Sequence, residues 1–101
     1  MEFPTVKVST FITGPVDLLK MDIEGAEVDV LQEAEAKLPQ VKEIMMEFHN
    51  NPSNPANSFT TALAILQRQG FNVEVRENNQ VVNPRSLNVG NNFYATIIAK
   101  R

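Results

Sequence analysis

The stretch that most constrains this chain lies between Val16 and Phe48, where two short apolar runs enclose a segment of different period. Val16–Ile23 reads VDLLKMDI, nearly continuous apolar residues with little alternation, the pattern of a strand buried on both faces of a parallel sheet. Residues 26–38 carry Ala26, Val30, Leu31, Ala34 and Leu38 at spacings of one helix face, and Pro39 ends that helix. Lys42–Phe48, KEIMMEF, is a second apolar strand. Strand, helix and strand joined by short links form a βαβ unit, which is right-handed in nearly every case. Its two strands are therefore expected to be parallel neighbours.

The remaining elements follow from local chemistry. His49–Ser58, HNNPSNPANS, is polar, rich in Asn and Pro, and reads as a surface loop. Ser58 is placed to cap a helix over Phe59–Gln69, and Gly70 to close it. Phe71–Glu77 alternates at period two, Asn78-Asn79 is a turn signal, and Asn92–Lys100 is the last strong strand. The tail is expected to form an antiparallel pair. Val6–Ile12 also has strand composition, although nothing local fixes its partner. The 101 residues suffice for one core, so residues 1–101 are read as one α/β domain whose sheet starts parallel and ends antiparallel.

Composition narrows the chemistry. Nine Lys and Arg against twelve Asp and Glu leave a net charge of −3 without charge runs, so neither a nucleic acid nor an anionic membrane is an expected partner. The absence of Cys removes disulfides, thiolate nucleophiles and Cys-based metal sites, and the single His removes any multi-His cage within one chain. No metal ligand set is therefore expected. The N-terminus has no secretory pattern, and no apolar run approaches the roughly 18–20 residues that span a bilayer. A cytoplasmic location is the expectation.

In open α/β sheets ligands lie beyond the carboxyl ends of the parallel strands, and both ends here are polar. Lys20 and Asp22 share one face of the first strand, and Glu47 and His49 share one face of the second. With matching faces, these four groups converge. Beyond Asp22, the run Glu24-Gly25-Ala26-Glu27 enters the helix, with Gly25 allowing a tight turn. Such a cluster suits acid–base work, or one hard cation with water completing its shell. Set beside it are plainer roles: Glu24 and Glu27 complementing the helix dipole, and Lys20 paired with Asp22 or Glu47 as a structural ion pair.

The run Asp17-Leu18-Leu19-Lys20-Met21-Asp22-Ile23-Glu24-Gly25-Ala26-Glu27, then Val30-Leu31 and, one strand later, Met46-Glu47-Phe48-His49, resembles the signature of FkbM-type S-adenosylmethionine-dependent methyltransferases. The pairing of KxDxEGxE with ExH is more specific than either part. Leu66–Phe71 and Asn91–Ala95 also fall where that family has a helix ending in a Gly-aromatic pair and a closing strand. The similarity covers about residues 6–100, but only the C-terminal half of the family's domain.

The resemblance implies a partial Rossmann-like sheet, strands four to seven of an order 3-2-1-4-5-7-6, with the motif region at 16–49 and C-terminal strands at 71–100. It implies methyl transfer to an oxygen of a small molecule or sugar, provided the cofactor half is supplied. Asp22, Lys20 and His49 would be catalytic, and Glu24, Glu27, Glu47 and Asn50 would bind the acceptor, with the 49–58 loop shaping its pocket. S-adenosylmethionine is the implied cofactor. The chain itself has no Gly-rich loop after a strand, so it holds no cofactor-binding residues and tight binding to it alone is not expected. The apolar edge at residues 16–23 calls for cover, by Val6–Ile12, by a second copy, or by the missing N-terminal half. The competing expectation is a non-catalytic oligomeric module derived from the same family.

Overall fold

In a computed structural model, which describes residues 12–22 and 25–101, the chain is a mixed α/β structure built on one five-stranded sheet. The elements are β1 (Val16–Met21), α1 (Glu27–Ala34), β2 (Val41–Asn50), α2 (Phe59–Arg68), β3 (Asn72–Glu77), β4 (Gln80–Val82) and β5 (Phe93–Lys100). Strands lie in the order β1-β2-β5-β3-β4. β1 and β2 run parallel, while β5 is antiparallel to both of its neighbours, β2 and β3. The chain's last strand thus closes the middle of the sheet. This meets the expected parallel start and antiparallel tail, with the β3–β4 hairpin as an addition.

Both helices pack on one face of the sheet. Ile44, Met46 and Phe48 of β2 and Ala95, Ile97 and Ala99 of β5 join Val28 and Leu31 of α1 and Ala62, Ile65 and Leu66 of α2 in one buried cluster. Phe59 ties the layers together, its ring edge-on to Phe48 at 5.4 Å and to Phe93 at 5.2 Å between centroids. Alternation along β2 then sends Glu43, Met45, Glu47 and His49 to the opposite face.

Three expectations are corrected here. β1 is not buried on both faces: Leu18 is 47% exposed, and Asp17 and Lys20 are also exposed. The reason is position, because β1 ends the sheet among the described residues and no helix covers its outer face. The helix expected over 26–38 is α-helical only to Ala34 and continues as a 3₁₀ segment, Glu35–Gln40, running through Pro39. A proline cannot donate an intrahelical hydrogen bond, and the last turn tightens around it. The strand expected at Val6–Ile12 falls outside the described residues apart from Ile12, which is buried in the core and not in a strand.

Local signals were met closely. The Ser58 hydroxyl accepts from Thr61 N at 3.3 Å and caps α2. At the other end Gly70, with φ +88°, donates to Gln67 O while Phe71 N reaches Leu66 O, the two bonds of a Schellman cap. Asn78 and Asn79, with φ of 51° and 64°, form the two-residue turn joining β3 to β4. Arg101 locks the base of the sheet, donating to Val41 O, Gln69 O and Leu38 O while its guanidinium lies 4.1 Å from the Phe71 ring centroid. Among the described residues no helix is long and apolar enough to cross a membrane.

Candidate functional site

The site arises from a mismatch in strand length. β1 pairs with β2 as far as Met21 and Met46, but β2 continues to Asn50. Past Met46 the main chain of β2 has no strand on its β1 side among the described residues, and buried amide groups need partners. At His49 two side chains supply them. Glu27 Oε1 accepts from His49 N at 2.7 Å, and Asn57 Nδ2 donates to His49 O at 3.2 Å.

The same two residues begin α1. Glu27 is its first residue, where the helix dipole favours a negative charge, and it is 0% exposed. Ala26 at the N-cap position has no side chain that can accept, so Asn57 Oδ1, 29 residues away, accepts from Val28 N at 2.9 Å instead. Asn57 itself is 4% exposed. The loop expected to lie on the surface therefore sends one amide into the interior, and it also turns Asn54 Nδ2 onto Gly25 O at 3.1 Å. Gly25 sits at φ +82°, a conformation that residues with a side chain rarely adopt, and a Cβ there would lie 3.3 Å from Asn54 Nδ2.

The His49 imidazole is mostly buried, with Nδ1 3.3 Å from Glu27 Oε1 and its ring edge-on to Tyr94 at 4.7 Å. The other Glu27 oxygen, Oε2, is buried without a partner among the described residues. His49 lines an open cleft of about 420 Å³ with Gly25, Asn51, Asn54, Asn92 and Tyr94. Asn50 stands at its floor, its amide donating to Val89 O and Asn91 O and so fixing the segment that leads into β5. A second cleft of about 410 Å³, on the uncovered sheet face, is lined by Lys20, Met21, Asp22, Met45 and Glu47.

The expected convergence of four ionisable groups is thus divided. Lys20, Asp22 and Glu47 share one cleft, whereas His49 belongs to the other and partners Glu27. Lys20 forms no ion pair among the described residues, because exposure to water removes the need for one, and Glu47 Oε1 accepts from Thr96 Oγ1 at 2.8 Å. Glu27 and Asn50, expected among the acceptor-binding residues, are both buried and bonded to the chain. Glu24 lies outside the described residues. Sequence reasoning missed Asn54, Asn57, Asn92 and Tyr94. Only the Asn-rich loop hinted at the first two, since no local pattern tells an inward-turned amide from a solvated one. Among the described residues no group of three or more His, Asp or Glu is placed to hold a metal ion.

A parallel strand pair with a polar cleft past its carboxyl ends, and a sheet completed by antiparallel strands, is consistent with an α/β domain of the methyltransferase-like kind. The chain belongs to the FkbM methyltransferase family, whose domain model, described as "Methyltransferase FkbM domain", matches residues 1–73. It is also similar to the AMB antimetabolite synthetase AmbE of Pseudomonas aeruginosa, 38% identical over 64 residues. That match takes in 61% of this chain and 3% of AmbE. No solved structure matches.

Among the described residues one part of an S-adenosylmethionine site is lacking. None of the glycines forms a Gly-rich turn after a strand, the four standing apart at positions 14, 25, 70 and 90.

Proposed function

We propose that this chain is the acceptor-side half of an FkbM-type methyltransferase domain, whose reaction is methyl transfer from S-adenosylmethionine to an oxygen of a small molecule or sugar. On this reading β1, β2, β3 and β5 correspond to strands four, five, six and seven of the family's sheet. The observed order β1-β2-β5-β3 supports it, since it is what 4-5-7-6 becomes with β4 as an added hairpin strand. The cofactor is held by a part of the domain that this chain does not supply.

The observation that carries the reading is the His49 imidazole, backed by the Glu27 carboxylate, in a polar cleft past the parallel strand ends. A hydroxyl is a weak nucleophile until its proton is removed, and an imidazole near neutral pH is suited to taking it. His49 takes the acceptor proton while the amides of Asn51, Asn54 and Asn92 orient the acceptor. Lys20 and Asp22, in the adjoining cleft, border the acceptor on its other side.

The test is turnover in a protein that joins this chain to its cofactor half. His49→Ala is expected to abolish methyl transfer while leaving cofactor binding intact, and unchanged turnover rejects the reading. Calorimetric titration of S-adenosylhomocysteine into the isolated chain is expected to give no binding at millimolar ligand.

One observation favours a second reading, a non-catalytic oligomeric module. The sheet face opposite the helices is uncovered among the described residues, and Leu18 and Tyr94, 47% and 68% exposed, stand on it. A dimer in light scattering, with S-adenosylhomocysteine binding absent even when the cofactor half is supplied, would favour the module.

A further inference from the structure

We infer that Glu27 is a positioning residue rather than an acceptor ligand: with Asn57 it fixes His49 in the tautomer that carries its proton on Nδ1, so that Nε2 is the free acceptor. The inference rests on His49 as the proton-taking group of the proposed reaction.

The chemistry of the contacts leads to it. An ionised carboxylate only accepts hydrogen bonds, so the 3.3 Å approach of Nδ1 to Glu27 Oε1 is a bond only when Nδ1 bears the hydrogen. The neutral ring then has its lone pair on Nε2. Glu27 cannot turn away, because the same Oε1 also takes His49 N at 2.7 Å and the residue is wholly enclosed. Nor can the His49 backbone drift, because Asn57 Nδ2 holds its carbonyl while Asn57 Oδ1 is anchored on Val28 N. Main chain and ring are thus referred to the same helix terminus.

The unpartnered Glu27 Oε2 adds a second argument. A buried carboxylate with one oxygen unsatisfied is poorly solvated, and it gains most from a positive charge formed beside it. That charge appears when Nε2 takes a proton, with the Glu27 carboxylate facing the far side of the ring as the carboxylate of a hydrolase triad does. A purely structural carboxylate would need no imidazole within reach, since the His49 amide already occupies Oε1.

His49 is the only histidine in the chain, so its ring nitrogens can be read without assignment. The experiment is a long-range proton–nitrogen correlation spectrum of the uniformly labelled chain at a pH where the ring is neutral. The expected result is a protonated Nδ1 and a bare Nε2. In Glu27→Gln, where the charge is lost at nearly constant shape, the balance is expected to move several-fold toward the Nε2–H form. A wild-type ring protonated on Nε2, or averaging between both forms, overturns the inference, as does a Glu27→Gln spectrum identical to wild type. Should Glu27→Gln not fold, the wild-type spectrum alone decides. None of these outcomes depends on methyl transfer, so the tautomer can fail while the proposed function stands, and the reverse.

Discussion

Asn57 shows how much one buried amide can hold. It serves the first turn of α1 through its oxygen and the end of β2 through its nitrogen, two elements 29 and eight residues away in sequence. Replacing it with alanine leaves a buried N–H and a buried carbonyl without partners, each costing about 1–3 kcal/mol. Asn57→Ala is therefore expected to lower unfolding stability by about 2–4 kcal/mol, measured by urea denaturation. Such a residue was illegible in the sequence, where Asn50, Asn51, Asn54 and Asn57 look alike. What separates them is where β1 stops, a fact of tertiary structure. Lys20 shows the reverse error, because the apolar letters around it imply burial that the end of a sheet does not provide.

At the scale of elements, the ends of α2 were readable because capping is local chemistry. Ser58 and Gly70 each act within four residues of themselves. Gly70→Ala forces a side chain into φ +88° and brings its Cβ to 3.2 Å from Arg101 Nη1. A loss of about 1–2 kcal/mol is expected, read as a lower thermal midpoint. The contact between helices was not readable in this way. Glu35, just past α1, receives two hydrogen bonds from Arg68 and one from Gln69 at the end of α2. The Arg68 guanidinium, followed by the Gln69 amide, holds the Glu35 carboxyl below the usual glutamate range. A carboxyl whose folded-state value is depressed adds stability above its unfolded value and loses it as pH falls through the folded one. Glu35→Gln is accordingly expected to flatten the acid limb of the stability–pH curve, with a neutral-pH difference that shrinks in high salt because Arg68 is largely exposed.

For the whole molecule, the βαβ order and the antiparallel tail were legible in the residue pattern, whereas the place of the last strand came only from the family resemblance, whose order 4-5-7-6 sets it between its neighbours. Patterns along a chain mark strands but do not rank them across a sheet, so the apolar run of β1 read as covered on both faces, although β1 ends the sheet among the described residues. That position carries an expectation about assembly. A strand edge of six residues, Val16–Met21, has no neighbour among the described residues, and open edges invite pairing. We propose that a second copy or the cofactor half of the domain covers it. Slow amide exchange along Val16–Met21 in a species that light scattering reports as a dimer supports self-pairing, while fast exchange in a monomer leaves the edge for the other half.

The position of β5 also sets a timetable. The strands that flank it, β2 and β3, are finished by Glu77, and the one that joins them comes last, at residues 93–100. A ribosome adding roughly 5–20 residues per second keeps the two halves of the sheet apart for on the order of seconds. During that interval β2 offers an unfinished edge to anything nearby, including a copy of itself emerging from the next ribosome on the same message.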